Sequence, residues 1–152
     1  MTPLKLILAA WLLALAPSLS SAQESQRELS EALFIAAHLG HMPSIMDLVQ
    51  RGANVNHLNQ DREAPMHAAA ARGHLRVMQY LVSQRAYLHP RTVQDWIPLH
   101  HAVRFGHAHI VNYLLGNGAP LYARTRTGQT VFDIAKGTRD VRMMNMLERY
   151  RR

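Results

Sequence analysis

Hydrophobic and small residues recur along this chain at a step of 33 positions. Leu48, Leu81, Leu114 and Leu147 fall on that step, as do Ala36, Ala69, Ala102 and Ala135, and Ala53, Ala86 and Ala119. Gly40, Gly73 and Gly106 keep it too, each followed by a histidine, His41, His74 and His107, and so does the pair Pro65 and Pro98. Within one period, Pro65 opens a run of Met66, Ala68, Ala69 and Ala70 that predicts a short, narrow helix. Proline is tolerated there because the first turn has no intrahelical use for its missing N–H, and alanine favours helix while letting neighbours approach closely. Gly73 ends that helix, where a left-handed residue costs little. Leu75, Val77, Met78, Leu81 and Val82 then recur at helical spacing and predict the apolar face of a second helix. Ala102 with Ile110, Val111, Leu114 and Leu115 repeats the pattern one period later. The polar stretches 57–61 and 89–95 between copies predict projecting turns.

A helix pair of this length cannot bury its apolar face alone, so the copies must stack into a solenoid. The expected fold is all-α: about four helix-turn-helix units with short β-turn fingers, at 26–58, 59–91, 92–124 and 125–152 of a domain spanning 23–152. Terminal units of such an array are expected to present a polar outer face. At the start, Leu29, Ala32, Leu33 and Ala36 point inward among Glu24, Arg27, Glu28 and Glu31. At the finish, Arg139 and Asp140 replace Gly-His, Glu148 and Arg149 replace apolar and loop residues, and Thr138 or Asp140 is the expected cap of a last helix whose Val141, Met143, Met144 and Leu147 face inward. The array is expected to be complete and monomeric.

The runs Ala64-Pro65-Met66-His67-Ala68-Ala69 to Gly73-His74 and Ile97-Pro98-Leu99-His100-His101-Ala102 to Gly106-His107 resemble the ankyrin signature, Thr-Pro-Leu-His followed by small residues and Gly-His. The endings Leu48 to Asn56 and Leu114 to Ala119 are similar to that family's Leu-Leu-x-x-Gly-Ala close. The resemblance covers nearly all of the chain after residue 22. It implies that Pro65, His67, Gly73, His74, Pro98, His100, Gly106 and His107 are structural, with the histidines hydrogen-bonding between repeats. The chain departs from the signature where Ala64 and Ile97 replace threonine and where Arg62 and Asp95 replace the turn glycine that Gly128 supplies. Those two turns are therefore expected to be less regular.

Residues 1–22 read differently. Lys5 is their only charge, Leu6 to Ala16 is an unbroken apolar run, and Ser20-Ser21-Ala22 provides small residues at a cleavage site, the layout of a secretory signal peptide. The run is short of the roughly 20 residues that span a bilayer, so no stable membrane anchor is expected after cleavage. Export to the periplasm is the expected localisation, with full secretion as the alternative. The chain has no cysteine, which excludes disulfides and leaves the fold to its core. Net charge is +7, almost all of it from arginine. An exported protein seldom meets nucleic acid, so the expected partner is a protein with an acidic surface.

Ten histidines raise the alternative of a metal- or haem-binding chaperone. His107 and His109 with His100 or His101 are the set to test, although their spacing matches no zinc signature. No metal or cofactor is expected. An enzyme needs a nucleophile beside a base, paired carboxylates in a cleft, or a phosphate-cradling glycine loop. The acids Asp47, Asp61, Glu63, Asp95, Asp133 and Glu148 are scattered, and no Gly-x-x-x-x-Gly-Lys or Gly-x-Ser-x-Gly run occurs, so a non-catalytic protein is expected.

Ankyrin arrays bind partners with their finger tips and with the concave face of their first helices. By offset from the Pro-x-His core, the resemblance implies partner contacts at Gln60, Asp61, Glu63 and Arg72, at Gln94, Trp96, Arg104 and Phe105, and at Arg126 and Gln129. The third unit stands out, because Trp, Arg and large aromatics are enriched at energetic hot spots. The chain is thus expected to be a scaffold or interaction module. A secreted effector acting on a host protein is a second alternative.

Overall fold

The computed structural model describes residues 22, 23 and 25–151; the signal peptide expected at 1–22 lies, but for Ala22, outside the described residues. The described chain forms eight helices and no strand. Helix α1 covers 25–39. It is followed by α2 (Met42–Gln50), α3 (Pro65–Arg72), α4 (Leu75–Ser83), α5 (Pro98–Arg104), α6 (Ala108–Gly116), α7 (Val131–Gly137) and α8 (Val141–Tyr150). The helices pair as α1/α2, α3/α4, α5/α6 and α7/α8. The first helices of successive pairs stack in a row, α3 on α5 and α5 on α7, with α4, α6 and α8 behind them. This is the all-α repeat solenoid expected from the sequence.

The core runs down the row. Leu33, Ile45, Met66, Met78, Leu81, Leu99, Ile110, Leu114 and Leu147 have no solvent exposure, and each such side chain contributes about 1.5–3 kcal/mol by leaving water. The alanines of the narrow helices, Ala69, Ala102 and Ala135, are also at 0%, which lets consecutive helices approach closely.

The recurring glycine has two causes. Gly40, Gly73 and Gly106 adopt φ of 73–77°, a left-handed conformation that L side chains resist. A Cβ on Gly40 would also meet the His74 ring at 2.6 Å, and one on Gly73 would meet His107 Nδ1 at 2.8 Å. The Gly-His pair thus works between units: the glycine of one makes room for the histidine of the next. Each imidazole crosses back, His74 Nε2 to the His38 carbonyl at 3.1 Å and His107 Nε2 to the Ala71 carbonyl at 3.0 Å. Gly106 has no such ring beside it, since Asp140 takes the histidine position, and a Cβ there would lie 3.5 Å from its carboxylate.

The finger turns are regular, contrary to expectation. Arg62 and Asp95 adopt φ of 58° and 60°, and Gly128 adopts 81°. All three turns close with the same two backbone bonds: Asn59 N–H to Glu63 O and Arg62 N–H to Asn59 O, Thr92 to Trp96 and Asp95 to Thr92, and Thr125 to Gln129 and Gly128 to Thr125. Asn59 and Thr92 add a side-chain clamp, each accepting two N–H groups of its own turn, so the turn holds its shape without glycine. Val93 N–H donates to Asp61 O and Arg126 N–H to Gln94 O, both at 2.9 Å, tying finger to finger.

The two ends differ. At the finish, Lys136 and Glu148 are exposed and the Arg151 guanidinium lies 5.6 Å over the Phe132 ring, a polar cover. Asp140 caps α8 by accepting the Met143 N–H at 2.9 Å; Met143 and Leu147 are buried, but Val141, the first residue of α8, is 65% exposed rather than inward. At the start Arg27, Glu28 and Glu31 are exposed and Leu33 and Ala36 buried, as expected, but among the described residues the cover is incomplete: Ile35 and Leu39 are 59% and 68% exposed. They occupy the positions of Ala68 and Arg72 one unit on, so this end of α1 is more apolar than the interior units.

Candidate partner-binding site

The first turn of each first helix is built around one side chain. In α3, His67 Nδ1 accepts the Ala64 N–H at 3.0 Å, and its Nε2–H donates to the Trp96 carbonyl at 3.1 Å. In α5, His100 Nδ1 accepts the Ile97 N–H at 3.0 Å and Nε2–H reaches the Ala123 carbonyl at 3.1 Å. One ring therefore caps its own helix and holds the next finger, which requires the neutral imidazole with its proton on Nε2. Burial first of all lowers the His67 pKa to about 4 and lowers that of His100 as well. In the last unit Asp133 stands in this position and accepts from both the N–H and the hydroxyl of Thr130, at 2.8 and 2.7 Å. No further finger follows among the described residues, so the cap alone suffices there. These bonds to the Thr130 N–H and hydroxyl hold the Asp133 carboxyl below the usual range.

That scaffold fixes a depression of about 450 Å³ on the concave side, between the fingers at 59–63 and 92–96 and the end of α5. It is lined by Asp61, Glu63, Thr92, Val93, Gln94, Trp96, His101, Arg104 and Phe105. Trp96 is partly buried against the core, with its backbone N–H held by Thr92 Oγ1 at 3.1 Å. Its ring meets the His101 ring edge-on at 5.1 Å between centroids, and Arg104 lies 5.5 Å over it. Phe105, the residue that caps the end of α5, is 54% exposed. A half-buried indole, an exposed phenyl ring and fixed polar groups at the rim have the chemistry of a seat for one or two side chains of another chain.

Six of the ten residues implied by the resemblance come together here: Asp61, Glu63, Gln94, Trp96, Arg104 and Phe105. Gln60 lines a neighbouring depression of about 450 Å³ with Phe34, Ile35 and Leu58, and Asp61 stands on the ridge between the two. Arg72, Arg126 and Gln129 are exposed outside both. Trp96 is shared between the core and the surface.

His101 is the wall that sequence reasoning missed. It replaces the small Ala68 of the preceding unit, and that change of size was the available signal. Its side chain is 14% exposed, with Nε2 3.8 Å from Glu63 Oε1 and no hydrogen-bond partner. Burial, then the neighbouring His67, His100 and Arg104, lowers its pKa to about 3. The histidine set weighed for a metal does not converge. His107 and His109 engage the Ala71 and Gly73 carbonyls through Nε2, His100 holds Ala123, and His101 faces the concave depression. Among the described residues no group of three metal-ligating side chains is placed to hold an ion, and no helix is long and apolar enough to cross a membrane.

A stack of helix pairs with Pro-x-His caps, Gly-His crossings and tied fingers defines the class of protein. Residues 22–135 match the family of ankyrin repeats, in three copies, and the chain belongs to that family. Ankyrin repeats are generally protein–protein interaction modules and are typically non-catalytic. No curated protein matches the chain significantly.

Proposed function

We propose that this chain is an exported, non-catalytic binding module, resident in a bacterial periplasm, that grips a partner protein with its finger tips and concave face. The observation that carries the reading is the aromatic depression beside Trp96 and Phe105, held by turns and caps that leave it little freedom. Rigid display lowers the ordering cost of docking. The arginines Arg72, Arg104 and Arg126 along the same side give long-range attraction to an acidic partner, and Trp96 and Phe105 supply desolvated contact. Export rests on the leader-like composition of residues 1–22.

Affinity capture from the exported fraction, with the wild type beside a Trp96→Ala, Phe105→Ala double variant, tests the binding reading. Truncation at a hot spot costs roughly 2 kcal/mol or more, so the variant is expected to lose the partner that the wild type retains; equal recovery of the same partner retires the reading. Fractionation with mass measurement of the amino terminus tests export, with a chain beginning at Gln23 as the expected product.

A further inference from the structure

The charges around the depression are divided, although the chain as a whole is basic. On the finger side stand the carboxylates of Asp61 and Glu63; on the helix side stands the Arg104 guanidinium. Among the described residues neither carboxylate lies within 4.0 Å of an arginine or lysine, and Arg104 meets no carboxylate. Among the described residues the one basic group within 4.0 Å of Glu63 is His101, whose buried imidazole is neutral at physiological pH and brings no compensating charge. Thus the two poles are separated by an aromatic floor and neither is neutralised within the fold.

An occupant that covers Trp96 and Phe105 must also remove water from Glu63, already partly buried. A purely apolar anchor would leave that carboxylate desolvated and unpaired, at a cost that commonly exceeds the gain from the contact. The occupant must therefore bring a cation to the finger side and tolerate or seek a carboxylate on the helix side. Resting on the binding reading above, we propose that the partner segment seated here carries an apolar anchor residue flanked by lysine or arginine toward Asp61 and Glu63 and by aspartate or glutamate toward Arg104. The acidic character drawn by the outer arginines and the cation demanded inside are then two features of one partner: long-range attraction to its surface, and a fixed polarity for the segment that docks.

Peptides selected from a phage-displayed random library on the immobilised protein provide the probe. Wild type is expected to enrich peptides with a basic residue beside an aromatic or aliphatic anchor, and Trp96→Ala to lose them. An Asp61→Lys, Glu63→Lys variant is expected to bind those peptides at least tenfold more weakly and to be rescued by versions in which the basic residue is exchanged for glutamate. Asp61→Asn, Glu63→Gln should fall between, and Arg142→Glu, exposed on α8 and outside the depression, should leave the preference intact. Peptides that depend on Trp96 but show no basic preference, or that bind the reversed variant equally, overturn the polarity and leave the binding reading standing. If no selected peptide depends on Trp96 or Phe105, both fall together.

Discussion

Arg62 and Asp95 hold the left-handed conformation that Gly128 adopts in the last finger, at a cost of roughly 1–2 kcal/mol for a residue with a Cβ. The clamps from Asn59 and Thr92 enforce it. Arg62→Gly is therefore expected to stabilise the protein by about 1 kcal/mol, part of the relief being offset by the greater chain entropy of glycine; the urea midpoint of the variant checks this, and a lower midpoint contradicts it. Titration acts at the same scale. The unfolded chain protonates these imidazoles at their ordinary value of 6.5, whereas His67 and His101 in the fold are held to about 4 and about 3. Their neutral forms contribute stability that is fully present above about pH 6.5 and is lost progressively as the pH falls from there to about 4 for His67 and about 3 for His101, a loss on the order of 3 kcal/mol for His67 alone. Urea midpoints should decline steadily between pH 7 and pH 4. His101→Ala, which restores the small residue of the preceding unit, should flatten part of that decline; an acid limb unchanged by it would show that His101 carries none of the dependence.

Between elements, the coupling of one unit's glycine to the next unit's histidine makes nominally equivalent positions unequal. Gly73→Ala must strain a φ of 77° and also drive a Cβ to 2.8 Å from the His107 ring, whereas Gly106→Ala strains a similar φ of 73° but places its Cβ in ordinary contact, 3.5 Å from the Asp140 carboxylate. We expect Gly73→Ala to destabilise by at least about 1 kcal/mol more than Gly106→Ala, read as the difference between their urea midpoints; equal losses would mean that backbone strain alone accounts for the motif. The pairing of helices was legible in the sequence because alanine, proline and the Gly-His step repeat at the helix boundaries themselves. The turns were misjudged because the side chain at 59 and 92 that enforces a left-handed residue lies three positions before it, and a glycine count does not see it. At the site, residues on one offset class could be named, but which of them converge depends on how the fingers at 59–63 and 92–96 approach α5. His101 escaped notice because a lone large residue at a small-residue position shows its role only when its neighbours are placed.

For the molecule as a whole, the unequal ends set a further expectation. A solenoid is held by contacts between neighbouring units, so a terminal face that no neighbour covers contributes nothing to stability however apolar it is. The finish of the chain has Lys136, Glu148 and the Arg151–Phe132 contact over its last pair, but Leu39 stands largely in solvent where the next unit carries Arg72. Replacing Leu39 by arginine makes the first unit like the second at that position. It removes apolar area that is already wet, and the helix propensities of leucine and arginine are nearly equal. The expected change in unfolding free energy is within about 0.5 kcal/mol, while the concentration at which the protein begins to associate should rise, because an exposed apolar patch is the usual seed of association. Urea unfolding and light scattering on the two proteins decide it. A loss well above 1 kcal/mol would mean that Leu39 is covered in the intact chain, and the outer face of α1 would then have to be regarded as an interface.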